Sequence, residues 1–129
     1  MPRIARLVVP GYPHHVTQRG NRRQRAFFNS QDYLAYLELV ASAKEETRCE
    51  IRAYCLMPNH VHFVIVPEHK DGLADLFKEA HRRYTRRINF RENWRGHLWQ
   101  ERFHYFVMDE KHLNATVRYV ELNPVSADL

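Results

Sequence analysis

Apolar residues recur along this 129-residue chain with two periods, and the changes of period divide it into elements. Tyr33, Leu34, Leu37, Val40 and Ala41 follow the helical repeat, which predicts an amphipathic helix of about four turns with Asn29 or Ser30 as its N-cap. Residues 51–58 and 60–67 are β-rich runs meeting at Pro58-Asn59, which predicts a hairpin. A second helix is expected over residues 71–90, with Leu73, Leu76, Phe77, Ala80, Tyr84 and Ile88 on one face. Residues 14–20 alternate enough to form a strand, 20–24 read as a loop and 25–28 as a short return strand. Residues 102–108 read as a further strand. Asp109 then caps a last helix over 110–123, which Pro124 ends.

The predicted order is strand, helix, strand, strand, helix, strand, helix. Without its last member this is the split βαβ pattern of a ferredoxin-like, RNA-recognition-motif-like fold: an α+β domain whose antiparallel sheet carries two helices on one face. The added C-terminal helix is placed to dock on or beside the other face. There is no internal repeat or linker, so residues 1–129 are expected to form a single domain.

Charge narrows the partner. Twenty Lys and Arg oppose fifteen Asp and Glu, a formal net charge of +5, which favours a polyanion through attraction to phosphates and release of their counterions. Cys49 and Cys55 have neither the spacing nor the companions of a zinc cage and read as reduced packing residues. With no signal-peptide pattern and no apolar stretch near the roughly 20 residues that span a bilayer, a soluble, cytoplasmic protein without membrane attachment is expected.

The run 60–67 carries an oddity. Side chains alternate across a strand, so Val61, Phe63 and Ile65 project to one side while His60, His62, Val64 and Val66 project to the other. The two imidazoles then lie side by side, about 7 Å apart at their Cα atoms. Two nitrogens so placed can converge on one metal ion and leave its other positions open. An isolated pair of this kind is more often two half-buried histidines satisfied by backbone carbonyls. A metal reading needs a third ligand and a reactive group.

The last predicted helix offers both. Leu113, Val117 and Val120 form its buried stripe, and His112, Thr116, Tyr119 and Asn123 run along its flank. Beside the histidine face, Asn123 can present an amide oxygen to a metal and Tyr119 its phenol. A divalent cation at a phosphate makes phosphorus more electrophilic and stabilises the developing negative charge. The constellation suits attack of Tyr119 on a DNA phosphodiester, leaving a phosphotyrosine and a free hydroxyl. Each residue also has a plainer role: a helix tyrosine packing its ring on the sheet, and an asparagine stopping a helix before proline.

The strings MPNHVHFVIVP, LWQERF and RYVELNPV, with the opening PGYPHHVTQRGNRRQ, resemble the single-tyrosine HUH transposases, and among them the REP-associated tyrosine transposases, over almost the whole chain. The resemblance implies that His60 and His62 are ligands of Mg²⁺ or Mn²⁺. It implies that Tyr119 is the nucleophile that becomes joined to the 5′ phosphate of the cut strand. Asn123, standing where the wider family has glutamine, would be the third ligand, one methylene shorter. The implied substrate is single-stranded DNA folded into an imperfect hairpin, and the implied protein is a monomer or homodimer.

Basic residues supply two candidate DNA surfaces. Lys78, Arg82 and Arg86 recur every four residues on the second helix, widened by Arg83 and Arg87, and suit phosphates. Arg19, Arg22, Arg23 and Arg25 belong to the loop QRGNRRQR, expected to recognise the hairpin because loops reach unpaired bases. Trp94, Trp99 and Phe103 are candidates for stacking, with Trp99 and Phe103 better suited to the core. His14 and His15 point to opposite faces, so they cannot both join a metal site, and they read as structural or phosphate contacts. The expected function is a metal-dependent single-stranded DNA endonuclease and strand transferase. A non-catalytic hairpin-binding module derived from such a transposase is the alternative, and a hydrolase in which water attacks is a second rival.

Overall fold

The computed structural model describes residues 7–100 and 102–108. In chain order they form β1 (His14–Arg19), a short 3-10 turn (Asn21–Arg23), α1 (Ser30–Thr47), β2 (Cys49–Met57), β3 (His60–Pro67), α2 (Gly72–Glu92) and β4 (His104–Val107). All strand pairs are antiparallel and the sheet order is β2-β3-β1-β4. With one helix after β1 and another after β3, this is the expected ferredoxin-like α+β architecture. The helix predicted over 110–123, and with it Tyr119 and Asn123, lies outside the described residues.

Strand alternation in β3 divides its side chains as predicted. Val61, Phe63 and Ile65 are fully buried, and the Phe63 ring meets Tyr36 of α1 and Phe77 of α2, which fixes the helix-bearing face. All six apolar positions predicted for α2 are buried. His81 joins them, stacked on Trp99 and 2.7 Å from the Tyr36 hydroxyl. Burial pushes the imidazole down to about 3 and the phenol upward, so that hydrogen bond joins two neutral groups.

α1 is rotated from the face its apolar residues predict. Its buried positions are Asp32, Tyr36, Val40 and Ala43, whereas Leu34 is 46% exposed. Just upstream, residues 25–28 do not form a return strand. Instead the Ala26 and Phe27 N–H groups both donate to the Pro58 carbonyl. That drives Phe27 into the core against Tyr33, Tyr36 and Tyr84.

The rotation also buries a carboxylate. Asp32 accepts from the Phe28 N–H and pairs bidentately with Arg91 near the end of α2, while Asn29 caps α1 by accepting from the Asp32 N–H at 3.0 Å. Burial alone would favour the neutral acid, but the hydrogen bonds from Arg91 and Phe28 win and hold the Asp32 pKa below its ordinary value. Because the folded pKa is depressed, this stabilisation is present above the unfolded pKa of about 3.9 and is lost as pH falls through the folded value. Asp32→Ala removes the acceptor of both the Phe28 N–H and the Arg91 guanidinium, which keeps only its ion pair with Glu92, so urea unfolding is expected to show a loss of about 3 kcal/mol. Unchanged stability would mean the pair contributes nothing.

Cys49 and Cys55 are buried free thiols. Among the described residues no helix is long and apolar enough to cross a membrane.

Candidate active site

β1 and β3 pair so that Arg19 lies opposite His60, Thr17 opposite His62 and His15 opposite Val64. The odd-numbered residues of β1 therefore share the histidine face, while His14, Val16 and Gln18 are buried beneath the helices. His62 stacks on His15 with ring centroids 5.4 Å apart and planes 6° from parallel, and His60 stands edge-on to His62 at 4.9 Å. Val64 and Cys55 on this face are fully buried, so the half-buried histidines sit in partly covered rather than bare surface.

The hydrogen bonds set which nitrogen each ring offers. His60 Nδ1 lies 2.7 Å from Asn59 Oδ1, an acceptor only, so Nδ1 carries the proton and Nε2 holds the lone pair. His62 Nδ1 lies 3.2 Å from Thr17 Oγ1 and 3.3 Å from His15 Nε2. A metal-ligating histidine ordinarily donates its second ring N–H to a neighbour in this way and coordinates through the other nitrogen. Burial, then the neighbouring His60, His15 and Arg19, push the His62 pKa down to about 4. Burial and Arg19 lower that of His60. Both rings are thus held in the neutral form that metal ligation requires, and the donor set fits a divalent cation. Among the described residues no third His, Cys, Asp or Glu completes a metal cluster. The expected further ligand, Asn123, and the expected nucleophile, Tyr119, lie outside those residues.

Of the neighbours that surround the pair, Thr17 is not singled out by the sequence, and His15 reads there as a structural or phosphate contact. His15 and Thr17 have the parity of the histidine face, but only the β1–β3 register sets them beside His62. Asn59 reads as a turn residue, and its second role depends on the turn folding back over His60. His14, by contrast, is structural: its ring accepts from the Val9 N–H and meets the Tyr12 carbonyl at 2.8 Å.

The predicted DNA residues separate into two surfaces. Arg19 ends β1 on the histidine face, and its carbonyl is held by the Gln100 N–H and the Gln18 side chain. Beyond it, the Gly20 N–H donates to the Asn59 carbonyl, and a β-carbon at Gly20 would collide with the Gln24 carbonyl. Arg22 and Arg23 both adopt left-handed backbone, with φ of 54° and 60°. Such conformations cost non-glycine residues of order 1–3 kcal/mol each and cluster at functional loops. Arg22, Arg23 and Arg25 are all exposed. Lys78, Arg82, Arg83, Arg86 and Arg87 line the solvent side of α2, across the sheet from His60 and His62, and Glu79 pairs with Arg82 and Arg83.

A family model described as "Transposase IS200 like" matches residues 8–123, most of the chain. The chain belongs to the IS200-like transposase family. Among its relatives, the REP-associated tyrosine transposase of Escherichia coli (strain K12) is 22% identical over 105 residues, which make up 81% of this chain and 61% of that protein. The chain thus spans less than two thirds of that relative's length. A REP-associated tyrosine transposase solved bound to a REP hairpin has a TM-score of 0.77 at 23% identity, covering 98% of this chain and 74% of that one. A putative transposase from Deinococcus radiodurans has a TM-score of 0.64 at 18% identity, covering 93% and 96%. At these identities the two structures establish a shared fold.

Proposed function

We propose that this transposase-family chain is a metal-dependent endonuclease and strand transferase that cuts single-stranded hairpin DNA through a covalent 5′-phosphotyrosine. The observation that carries the reading is the pair His60 and His62, held side by side, each with Nδ1 engaged by a neighbour. The relative solved with a REP hairpin supports hairpin DNA as the ligand class. When bound at His60, His62 and Asn123, Mg²⁺ or Mn²⁺ would supply Lewis-acid polarisation of the phosphoryl oxygens.

The chain's own residues do the rest. Asn59, Thr17 and His15 orient the two imidazoles. Tyr119 attacks phosphorus: the bond from its phenolic oxygen forms, the bond to the 3′ oxygen breaks, and the phenol proton is balanced by the proton gained by the departing 3′ hydroxyl. Because the phosphodiester is exchanged and not hydrolysed, attack by a 3′ hydroxyl on the phosphotyrosine rejoins a strand. Arg22, Arg23 and Arg25 hold the hairpin next to this face, and the α2 stripe from Lys78 to Arg87 is a second phosphate-binding surface.

The test is incubation with a labelled single-stranded hairpin and Mn²⁺, followed by denaturing electrophoresis. A denaturation-resistant protein–DNA adduct is expected. Cleavage without an adduct would point to attack by water, and binding without cleavage to a non-catalytic hairpin module.

Arg19 has a distinct place in this scheme. No ion pair to it is present among the described residues, and a guanidinium opposite His60 opposes a bound cation unless an anion lies between them. The scissile phosphate is that anion. Arg19→Ala is therefore expected to slow single-turnover cleavage by about 100-fold, the scale of losing one charge-stabilising donor, with a much smaller change in hairpin affinity. Equal losses in both would make Arg19 an ordinary binding residue.

A further inference from the structure

Strand transfer through a tyrosine needs a proton at the departing 3′ oxygen. That oxygen leaves as an alkoxide, far more basic than a phenolate, whose conjugate acid has an ordinary pKa of about 10, so its bond to phosphorus breaks readily only when a proton reaches it as it goes. Sheet register brings one further imidazole to the face where this happens.

The β1–β4 register sets Thr17 opposite His104 and His15 opposite Phe106. Directly opposed residues share a face of the sheet, so His104 and Phe106 continue the histidine face onto β4, while Tyr105, opposite the buried Val16, turns toward the helices. Thr17 also lies opposite His62. His62, Thr17 and His104 therefore form a row across β3, β1 and β4, its outer backbones two strand spacings, about 10 Å, apart. Beside this row the His15 ring stacks on His62 and meets Phe106 edge-on at 5.2 Å. Arg19 follows Thr17 on the other side. Of the three side chains that β1 presents here Thr17 is the smallest, so the row has a low centre walled by Arg19 and by His15 with Phe106, and an imidazole at each end. A phosphodiester settled in it meets Arg19, the His60–His62 pair and His104 together.

The other titratable groups that the described strands present on this face are committed elsewhere. His60 and His62 are the metal pair, and His15 Nε2 lies 3.3 Å from His62 Nδ1. Arg19 cannot give up its proton. The Cys55 thiol, opposite His62 on β2, is fully buried, and burial pushes its pKa up. His104 is exposed and has no ion pair among the described residues, so its ring can exchange protons with solvent between turnovers. Imidazole is the side-chain group best matched to proton transfer near neutral pH.

We propose that His104 is the general acid of strand cleavage and the general base of rejoining. As the Tyr119 oxygen bonds to phosphorus its phenolic proton passes to water. The bond from phosphorus to the 3′ oxygen breaks with its electron pair on oxygen, and the proton of the His104 imidazolium moves there, leaving a 3′ hydroxyl and a neutral imidazole. In rejoining, the neutral imidazole takes the proton of the attacking 3′ hydroxyl, and the departing phenolate regains one from water. This assignment rests on the phosphotyrosine reading of the site.

The experiment measures single-turnover cleavage by the full chain, in Mn²⁺, of a labelled single-stranded hairpin substrate and of the same substrate with sulfur in place of the 3′ oxygen at the mapped cleavage position. A thiolate leaves without being protonated. His104→Ala is expected to slow cleavage of the oxygen substrate by about 100-fold or more, the scale of general acid catalysis, and to cut the sulfur substrate at close to the wild-type rate. Added imidazole is expected to restore part of the lost rate on the oxygen substrate, and hairpin affinity in chelator is expected to stay unchanged. His104→Gln, which keeps a hydrogen-bonding side chain but cannot transfer a proton, is expected to behave like His104→Ala. Arg19→Ala, by contrast, should slow both substrates, because its contact is to the phosphate. Equal slowing of the two substrates by His104→Ala, or recovery of the oxygen substrate in His104→Gln, would make His104 a phosphate contact and overturn the proposal while leaving the phosphotyrosine reading standing. Unchanged cleavage of the oxygen substrate by His104→Ala would overturn it in the same way. A wild type that forms no adduct with either substrate would overturn both.

Discussion

Tyr119→Phe is expected to abolish the covalent protein–DNA adduct and to leave hairpin binding almost unchanged. The substitution removes one oxygen and keeps the ring, so whatever packing the side chain provides is retained while the nucleophile is lost. A phenol is a weak nucleophile at its ordinary pKa of about 10, and the reaction depends on phosphorus being made electrophilic beside it. No other protein group in the proposed scheme forms a bond to phosphorus. The strand-cleavage rate should therefore fall by on the order of 10³-fold or more, the scale on which loss of a nucleophile is felt when the rest of a site survives. Adduct yield on a denaturing gel and hairpin affinity, measured on the same preparation, separate chemistry from binding. Cleavage that persists in the variant without an adduct would mean that water attacks.

His62→Ala is the second large effect. Of the two histidines it is the more embedded, stacked on His15 and contacted through Nδ1 by Thr17 and His15, and burial lowers its pKa furthest. Removing it deletes a ligand from a two-imidazole set, so Mn²⁺ binding by calorimetry should be lost and cleavage should fall by roughly 10³-fold. His60→Ala should do the same. Hairpin affinity in chelator should persist, because Arg22, Arg23 and Arg25 belong to a loop and the α2 cations lie across the sheet. Variants that still bind Mn²⁺ and still cut would end the metal reading of this face. Variants that lose DNA binding with the metal would instead make the histidines part of the DNA surface.

Much of this molecule is legible from residue order because its signals are local. The parity of β3 separates Val61, Phe63 and Ile65 from His60 and His62 whatever the strand pairs with, and the apolar repeat of α2 finds its buried face without error. The hairpin at Pro58-Asn59 and the capping of α1 by Asn29 are likewise set by turn and cap chemistry within a few residues. Where the local signal misleads, a distant partner decides. α1 turns Asp32 and Tyr36 inward at the expense of Leu34 because Arg91 and His81, on the other helix, supply the partners that make burying polar atoms affordable.

By itself, then, the sequence determined the fold class, the histidine pair and its parity, the two stretches of basic charge, and the motifs that mark the transposase family. Only tertiary structure decided what surrounds the pair. Parity is a property of one strand, but register belongs to two: a shift of a single residue between β1 and β3 would have sent His15, Thr17 and Arg19 to the other face. Closure of the sheet and helix layers also put the α2 cations on the far side from the histidines. The same closure separated a buried Trp99 from a half-exposed Trp94, although the two lie only five residues apart, because exposure is set by what the rest of the chain brings against a residue.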